Sequence, residues 1–205
     1  MWIKVCGLTS EDAVAAALQA RVDAVGFVLA SSVRQLRADQ AAHLAAMARG
    51  RAMLVAVTLH PTQALVDEIV SVLKPDALQA DLADFARLQL PQTLTRLPVM
   101  RAGVISGIAV PERMLFEGAR SGVGEITDWQ VAAELALSSE LILAGGLHAG
   151  NVAAAIGAVR PFGVDVSSGV EHSPGQKSPE KIAQFVAAAR AAFQEAAHHG
   201  NRHSG

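Results

Sequence analysis

Three residues of chemically useful type close short apolar runs. They are Cys6 after Trp-Ile-Lys-Val, Glu117 after Met-Leu-Phe, and Asp165 within Gly163–Val166 (GVDV). As a thiolate, Cys6 can act as a general base or a nucleophile, and as a thiol it packs as a small hydrophobe. Glu117 beside apolar walls would have a raised pKa and stay protonated, as a general acid must; its other reading is a strand-end residue in water. Asp165 is followed at once by a turn of small residues, which suits orienting or hydroxyl-binding work. Arg34, in the loop SSVRQLR (31–37), is either solvated or a clamp for a substrate carboxylate. Arg101 lies at another strand end. Two turns add a further chemistry. Gly145-Gly146 follows the apolar run 141–143, and Ser167-Ser168-Gly169 follows 163–166. Small residues there free backbone N–H groups to face an anion. Two such turns, one strand–helix–strand unit apart, favour a phosphate site over two empty turns.

The elements that must hold these residues alternate along the chain. Strand-like runs occupy 2–6, 23–29, 52–59, 76–80, 98–102, 114–117, 141–143 and 163–166. Helical patterns fall at 13–20, 38–49, 62–73, weakly at 82–88, then 129–137 and 151–159; a final helix runs from Ser178-Pro179-Glu180 to about 195. Thr9 and Asp12 stand at capping-box spacing, and Asp128 reads as an N-cap. Strand and helix alternating eight times predicts an α/β protein, a (β/α)8 TIM barrel in one domain, with a doubly wound open sheet as the alternative. Segment 103–113 holds glycines and a proline and is short for a crossover helix, so the fifth helix should be shortened or absent. The expected domain covers 1–197, followed by a polar tail at 198–205.

Composition narrows the function classes. The chain has 205 residues, 51% hydrophobic and 18% charged, enough for one sizeable core. A net charge of −2 gives no electrostatic case for nucleic acid. No apolar run approaches the roughly 18–20 residues of a membrane span, and the N-terminus lacks a signal-peptide pattern. One cysteine forms no internal disulfide, so a reducing cytoplasm is the default. The tail histidines have no metal-ligand spacing, and no metal is expected.

The segments VCGLTSEDA (5–13), DAVGFV (23–28), LAGGLHAGNV (143–152) and RPFGVDVSSGVEHSPGQK (160–177) resemble phosphoribosylanthranilate isomerase, the Amadori isomerase of tryptophan biosynthesis. The resemblance spans essentially the whole chain. It implies a (β/α)8 barrel with no cofactor, a phosphorylated small-molecule substrate, and a monomer or homodimer. It also implies a reaction. A general acid protonates the furanose oxygen of N-(5'-phosphoribosyl)anthranilate, a cysteine takes the C2' proton of the resulting Schiff base, and the enolamine tautomerises to the ketone. Cys6 matches the family's cysteine, Arg34 the arginine that holds the anthranilate carboxylate, and Gly145, Gly146, Ser167, Ser168 and Gly169 its phosphate loops. There are departures. Glu117 stands where an aspartate is usual, LQAD (78–81) replaces a QLHG pattern and lacks its histidine, and Glu125 replaces a lysine. These admit two other readings: a paralogue acting on another phosphorylated aminosugar, or a non-catalytic phosphate-ligand binder. A binder needs neither Cys6 nor an acid at 117.

Overall fold

The structure, a computed structural model, describes residues 1–101, 109–118 and 127–200. Eight parallel strands close a barrel in sequence order: β1 (Trp2–Cys6), β2 (Ala24–Val28), β3 (Met53–Val57), β4 (Ala77–Asp81), β5 (Thr95–Arg101), β6 (Arg113–Glu117), β7 (Glu140–Leu143) and β8 (Gly163–Val166). The ring closes where β1 pairs with β8, Lys4 opposite Asp165. Outside lie α1 (Glu11–Gln19), α2 (Ala38–Ala48), α3 (Gln63–Val72), α4 (Trp129–Ala136), α5 (Val152–Val159) and α6 (Pro179–Gly200). A 3-10 helix, Leu82–Ala86, stands in the fourth helical place. The open-sheet alternative is thereby excluded.

Strand periodicity of two sorts the side chains into two cores. Ile3, Val5, Val25, Phe27, Met114, Phe116 and Val164 face the helices and join the larger apolar cluster. Ala24, Val55, Ala77, Leu97, Leu115 and Ile142 form a second cluster inside the barrel. Cys6 shares its parity with Lys4, Glu117 with Leu115, and Asp165 with Ser167, so the same alternation that fills the barrel turns these residues inward at its mouth. The last helix closes the outer layer. Ile182, Phe185, Val186 and Ala189 recur at helical spacing, all buried, and α6 packs against α1 and α5.

Local differences from the sequence reading have simple causes. Ser10, not Thr9, caps α1: its Oγ accepts from Ala13 N at 3.3 Å, while the Thr9 hydroxyl donates to Gly175 O at 2.9 Å. Asp128 does cap α4, accepting from Gln130 N and Val131 N. A small antiparallel hairpin, β9 (Glu171–Ser173) with β10 (Gln176–Lys177), follows β8; three- and two-residue strands carry no periodic signal. Of segment 103–113, where the fifth helix should be shortened or absent, 103–108 lie outside the described residues, as do Glu125 and the end of the tail at 201–205; α6 runs on to Gly200, past its expected end near 195. Among the described residues no helix is long and apolar enough to cross a membrane.

Candidate active site

A cavity of about 560 Å3 opens at the C-terminal ends of the strands, and its walls include Cys6, Arg34, Arg101, Glu117, Asp165 and Ser167. A larger hollow of about 700 Å3 at the opposite end holds Asp23 and Asp76. Both of these carboxylates accept from strand backbone, Ile3 N at 2.8 Å and Leu54 N at 2.7 Å, so their work is structural. The chemistry, not the volume, therefore picks the site.

Cys6 sits in a buried charged group. Lys4 is fully buried and donates to Asp165 Oδ2 at 3.0 Å. Taking both ions out of water costs several kcal/mol each, which this mutual contact offsets in part; burial still leaves the Asp165 pKa above its ordinary value, against the pull of Lys4 and Lys177. Burial works against the Lys4 charge, but Asp165 and Cys6 outweigh it and hold its pKa above the ordinary value. Burial pushes the Cys6 thiol up, with Lys4 pulling the other way. Room for this pair comes from Gly26, where a Cβ would stand 2.9 Å from Cys6 Sγ and 3.1 Å from Lys4 Cε. Two buried acceptors on the cavity wall, Asp165 Oδ1 and Gln79 Oε1, have no protein partner among the described residues. They stand ready for donors such as sugar hydroxyls.

Arg34 is not solvated. It is 8% exposed, and its Nε and Nη2 grip Glu171 at 2.6 and 2.8 Å. Lys177 Nζ donates to Glu171 Oε1 at 2.7 Å and to Ser167 O at 2.9 Å. Burial alone would raise the Glu171 pKa, but Arg34 and Lys177 outweigh it and bring it down to about 2. The fork holds the guanidinium plane rigid and leaves Nη1 without a protein partner among the described residues, the geometry a planar carboxylate ligand requires.

Glu117 lacks the apolar setting expected of it. Arg101 Nη1 donates to Glu117 Oε1 at 2.6 Å, and Arg101 Nη2 donates to Asp81 Oδ1 at 2.7 Å. Strand-end parity could not reveal this, because it fixes the direction of a side chain and not its neighbour on the next strand.

The glycine turns lie on the β7–β8 side of the mouth. Gly145 and Gly146 have φ of 89° and 64°, a left-handed backbone that L side chains rarely adopt. Gly169 touches the backbone of Leu147 so closely that any Cβ would collide with Leu147 O. The turn after β8 is thus pressed against the turn after β7, with Ser167 donating to Cys6 O at 3.1 Å. Cys6, Arg34, Glu117, Asp165 and Ser167 share the cavity wall; Gly145, Gly146, Ser168 and Gly169 lie outside that lining. The sequence reading passed over Lys4, Glu171 and Lys177. Lys4 carried a usable signal, a charged residue on the inward parity of a buried strand, whereas Glu171 and Lys177 sit in a hairpin without one.

A sequence model described as N-(5'-phosphoribosyl)anthranilate (PRA) isomerase matches residues 3–188. An N-(5'-phosphoribosyl)anthranilate isomerase of Rhodopseudomonas palustris is 39% identical, over 93% of this chain and 98% of that protein. One from Mesorhizobium japonicum is 38% identical, over 95% and 98%. The crystal structure of TrpF from Jonesia denitrificans aligns with a TM-score of 0.78 at 33% identity, over 94% of this chain and 98% of that one. A phosphoribosyl anthranilate isomerase solved in complex with reduced 1-(o-carboxyphenylamino)-1-deoxyribulose 5-phosphate shares the fold, with a TM-score of 0.76 at 23% identity, over 93% and 99%.

Proposed function

The chain belongs to the N-(5'-phosphoribosyl)anthranilate isomerase family, and on that premise we propose that its barrel mouth turns N-(5'-phosphoribosyl)anthranilate into 1-(2-carboxyphenylamino)-1-deoxyribulose 5-phosphate. The protein is an isomerase of tryptophan biosynthesis. The observation that carries the residue assignment is that Cys6 and Glu117, from opposite parts of the chain, open into one cavity. The reaction needs one group to give a proton to the ring oxygen and another to remove one from C2', on neighbouring atoms of one small sugar.

In this reading Glu117 protonates the furanose oxygen. The C1'–O bond breaks, its electron pair stays on the oxygen as a hydroxyl, and the nitrogen lone pair forms the Schiff base. Cys6, as thiolate beside the Lys4 ammonium, then takes the C2' proton, and the enolamine tautomerises to the ketone. Arg34 binds the anthranilate carboxylate through the guanidinium edge that Glu171 leaves open. Asp165 Oδ1 accepts from a sugar hydroxyl. Backbone N–H groups of Gly145, Gly146, Ser168 and Gly169 hold the phosphate, helped by the hydroxyl of Ser168, or by that of Ser167 once it turns from Cys6 O; the positive φ of the first two and the close packing of Gly169 support this assignment. The free thiol of Cys6 supports a cytoplasmic setting. Expression in a tryptophan auxotroph lacking this isomerase tests the reading in cells. Growth without tryptophan is expected, and failure to grow with the protein expressed and folded counts against it.

A further inference from the structure

We propose that Arg101 is a positioning residue for the acid step, fixing the reach of Glu117 and stabilising the carboxylate that remains once the proton has moved to the sugar. The proposal rests on the reading of Glu117 as the acid. Its structural basis is a chain of three strand ends. Asp81, Arg101 and Glu117 are the last residues of β4, β5 and β6, neighbouring strands of the barrel. Arg101 and Glu117 stand opposite each other in the β5–β6 register.

One guanidinium serves both carboxylates. Its Nε and Nη2 donate to Asp81 Oδ1 at 3.1 and 2.7 Å, and its Nη1 donates to Glu117 Oε1 at 2.6 Å. The three side chains are 17%, 18% and 12% exposed, so water screens these contacts only in part. On its other side Asp81 faces His60 Nε2 at 3.8 Å. Asp81 therefore sets the plane of the guanidinium, and the guanidinium sets where the Glu117 carboxyl can lie. An aspartate at 117, shorter by one carbon–carbon bond of about 1.5 Å, would not span the gap to Arg101 from the same backbone. Glu117 and the LQAD end of β4, two of the departures from the family pattern, are joined by one side chain and form one arrangement.

The chemical consequence concerns the transition state. The Arg101 contact favours the ionised form of Glu117, so the reactive complex is the one in which Glu117 carries its proton; as that proton leaves for the ring oxygen, negative charge develops on a carboxyl already in contact with a fixed cation. That interaction is stronger at the transition state than before it, which is the condition for raising kcat and not merely binding. Asp81 never meets the proton in this scheme; it acts only through Arg101 and Glu117.

The experiment is a double-mutant cycle on the full-length protein with phosphoribosylanthranilate as substrate. Asp81→Asn keeps size and removes charge. It should lower kcat about tenfold with KM within about twofold. In a Glu117→Gln background the same change should have no further effect, because the group it serves is gone. Arg101→Lys, which keeps a cation but loses the fork, should retain more activity than Arg101→Met. Multiplying losses in the double variant, a rise in KM in place of a fall in kcat, or wild-type kcat in Asp81→Asn would overturn the proposal. Wild-type turnover in Glu117→Gln would remove the acid assignment and this proposal together. A Glu117→Gln defect with multiplying losses would remove this proposal alone.

Discussion

Replacing Glu171 by glutamine removes the anion that holds two buried cations. Glu171 accepts from Arg34 Nε and Nη2, Lys177 Nζ and Gly175 N at 2.6, 2.8, 2.7 and 3.2 Å. A glutamine retains one acceptor oxygen and points an NH2 group at donors. Removing one partner of a buried ion pair typically costs about 3–5 kcal/mol. The titration gives a second figure. A fall from the ordinary 4.5 to about 2, at about 1.4 kcal/mol per unit, is worth about 3 kcal/mol, reduced to about 2 by water at the barrel mouth. A loss of about 2–4 kcal/mol at pH 7 is therefore expected, read as the shift of a urea unfolding midpoint. The pH dependence isolates its origin. The folded pKa lies below the unfolded one, so this stability is fully present above the unfolded value and drains away as pH falls from about 4.5 towards 2. Glutamine does not titrate. The gap between wild type and Glu171→Gln should accordingly narrow by about 1 kcal/mol between pH 7 and pH 3. An equal gap at both pH values, or no gap at pH 7, refutes the reasoning.

Gly146→Val forces a β-branched residue to φ 64° and crowds the turn after β7; KM should rise about tenfold with kcat little changed, and an unchanged KM for a phosphorylated substrate removes the turn from the phosphate site. Arg34→Lys keeps a cation near Glu171 but loses the planar fork, so KM should rise at least about tenfold, and a wild-type KM would show that the anthranilate carboxylate is held elsewhere. The working forms are the Cys6 thiolate and the protonated Glu117 carboxyl, and burial raises the Cys6 thiol above its ordinary 9.0; in Glu117→Gln, where only the base titrates, the residual kcat should still be climbing at pH 9, and a plateau already reached near pH 6 in that variant would exclude a free Cys6 thiolate as the base.

The barrel was legible because each strand is a short apolar run ended by a turn residue, as WIKVC is by Gly7 and LIL by Ala144-Gly145-Gly146. Strand ends then named Cys6, Glu117 and Asp165, since period two fixes which side of a buried strand a residue faces. What the sequence could not carry was pairing across the barrel. Lys4 and Asp165 lie 161 positions apart, and Arg34 and Glu171 lie 137 apart; no local pattern links them. The same gap explains the misjudged surroundings of Glu117. Met-Leu-Phe precedes it in sequence, but Leu115 faces the barrel interior and Met114 and Phe116 face the helices, leaving Arg101 of the next strand as its neighbour.

The most direct measurement supplies freshly made phosphoribosylanthranilate to the purified protein and follows the loss of its fluorescence. Wild type should consume it without added metal or cofactor. Cys6→Ala and Glu117→Gln should each lower kcat by roughly 10²–10⁴, with far smaller changes in KM. No turnover by the wild-type protein, or wild-type kcat in either variant, contradicts the account.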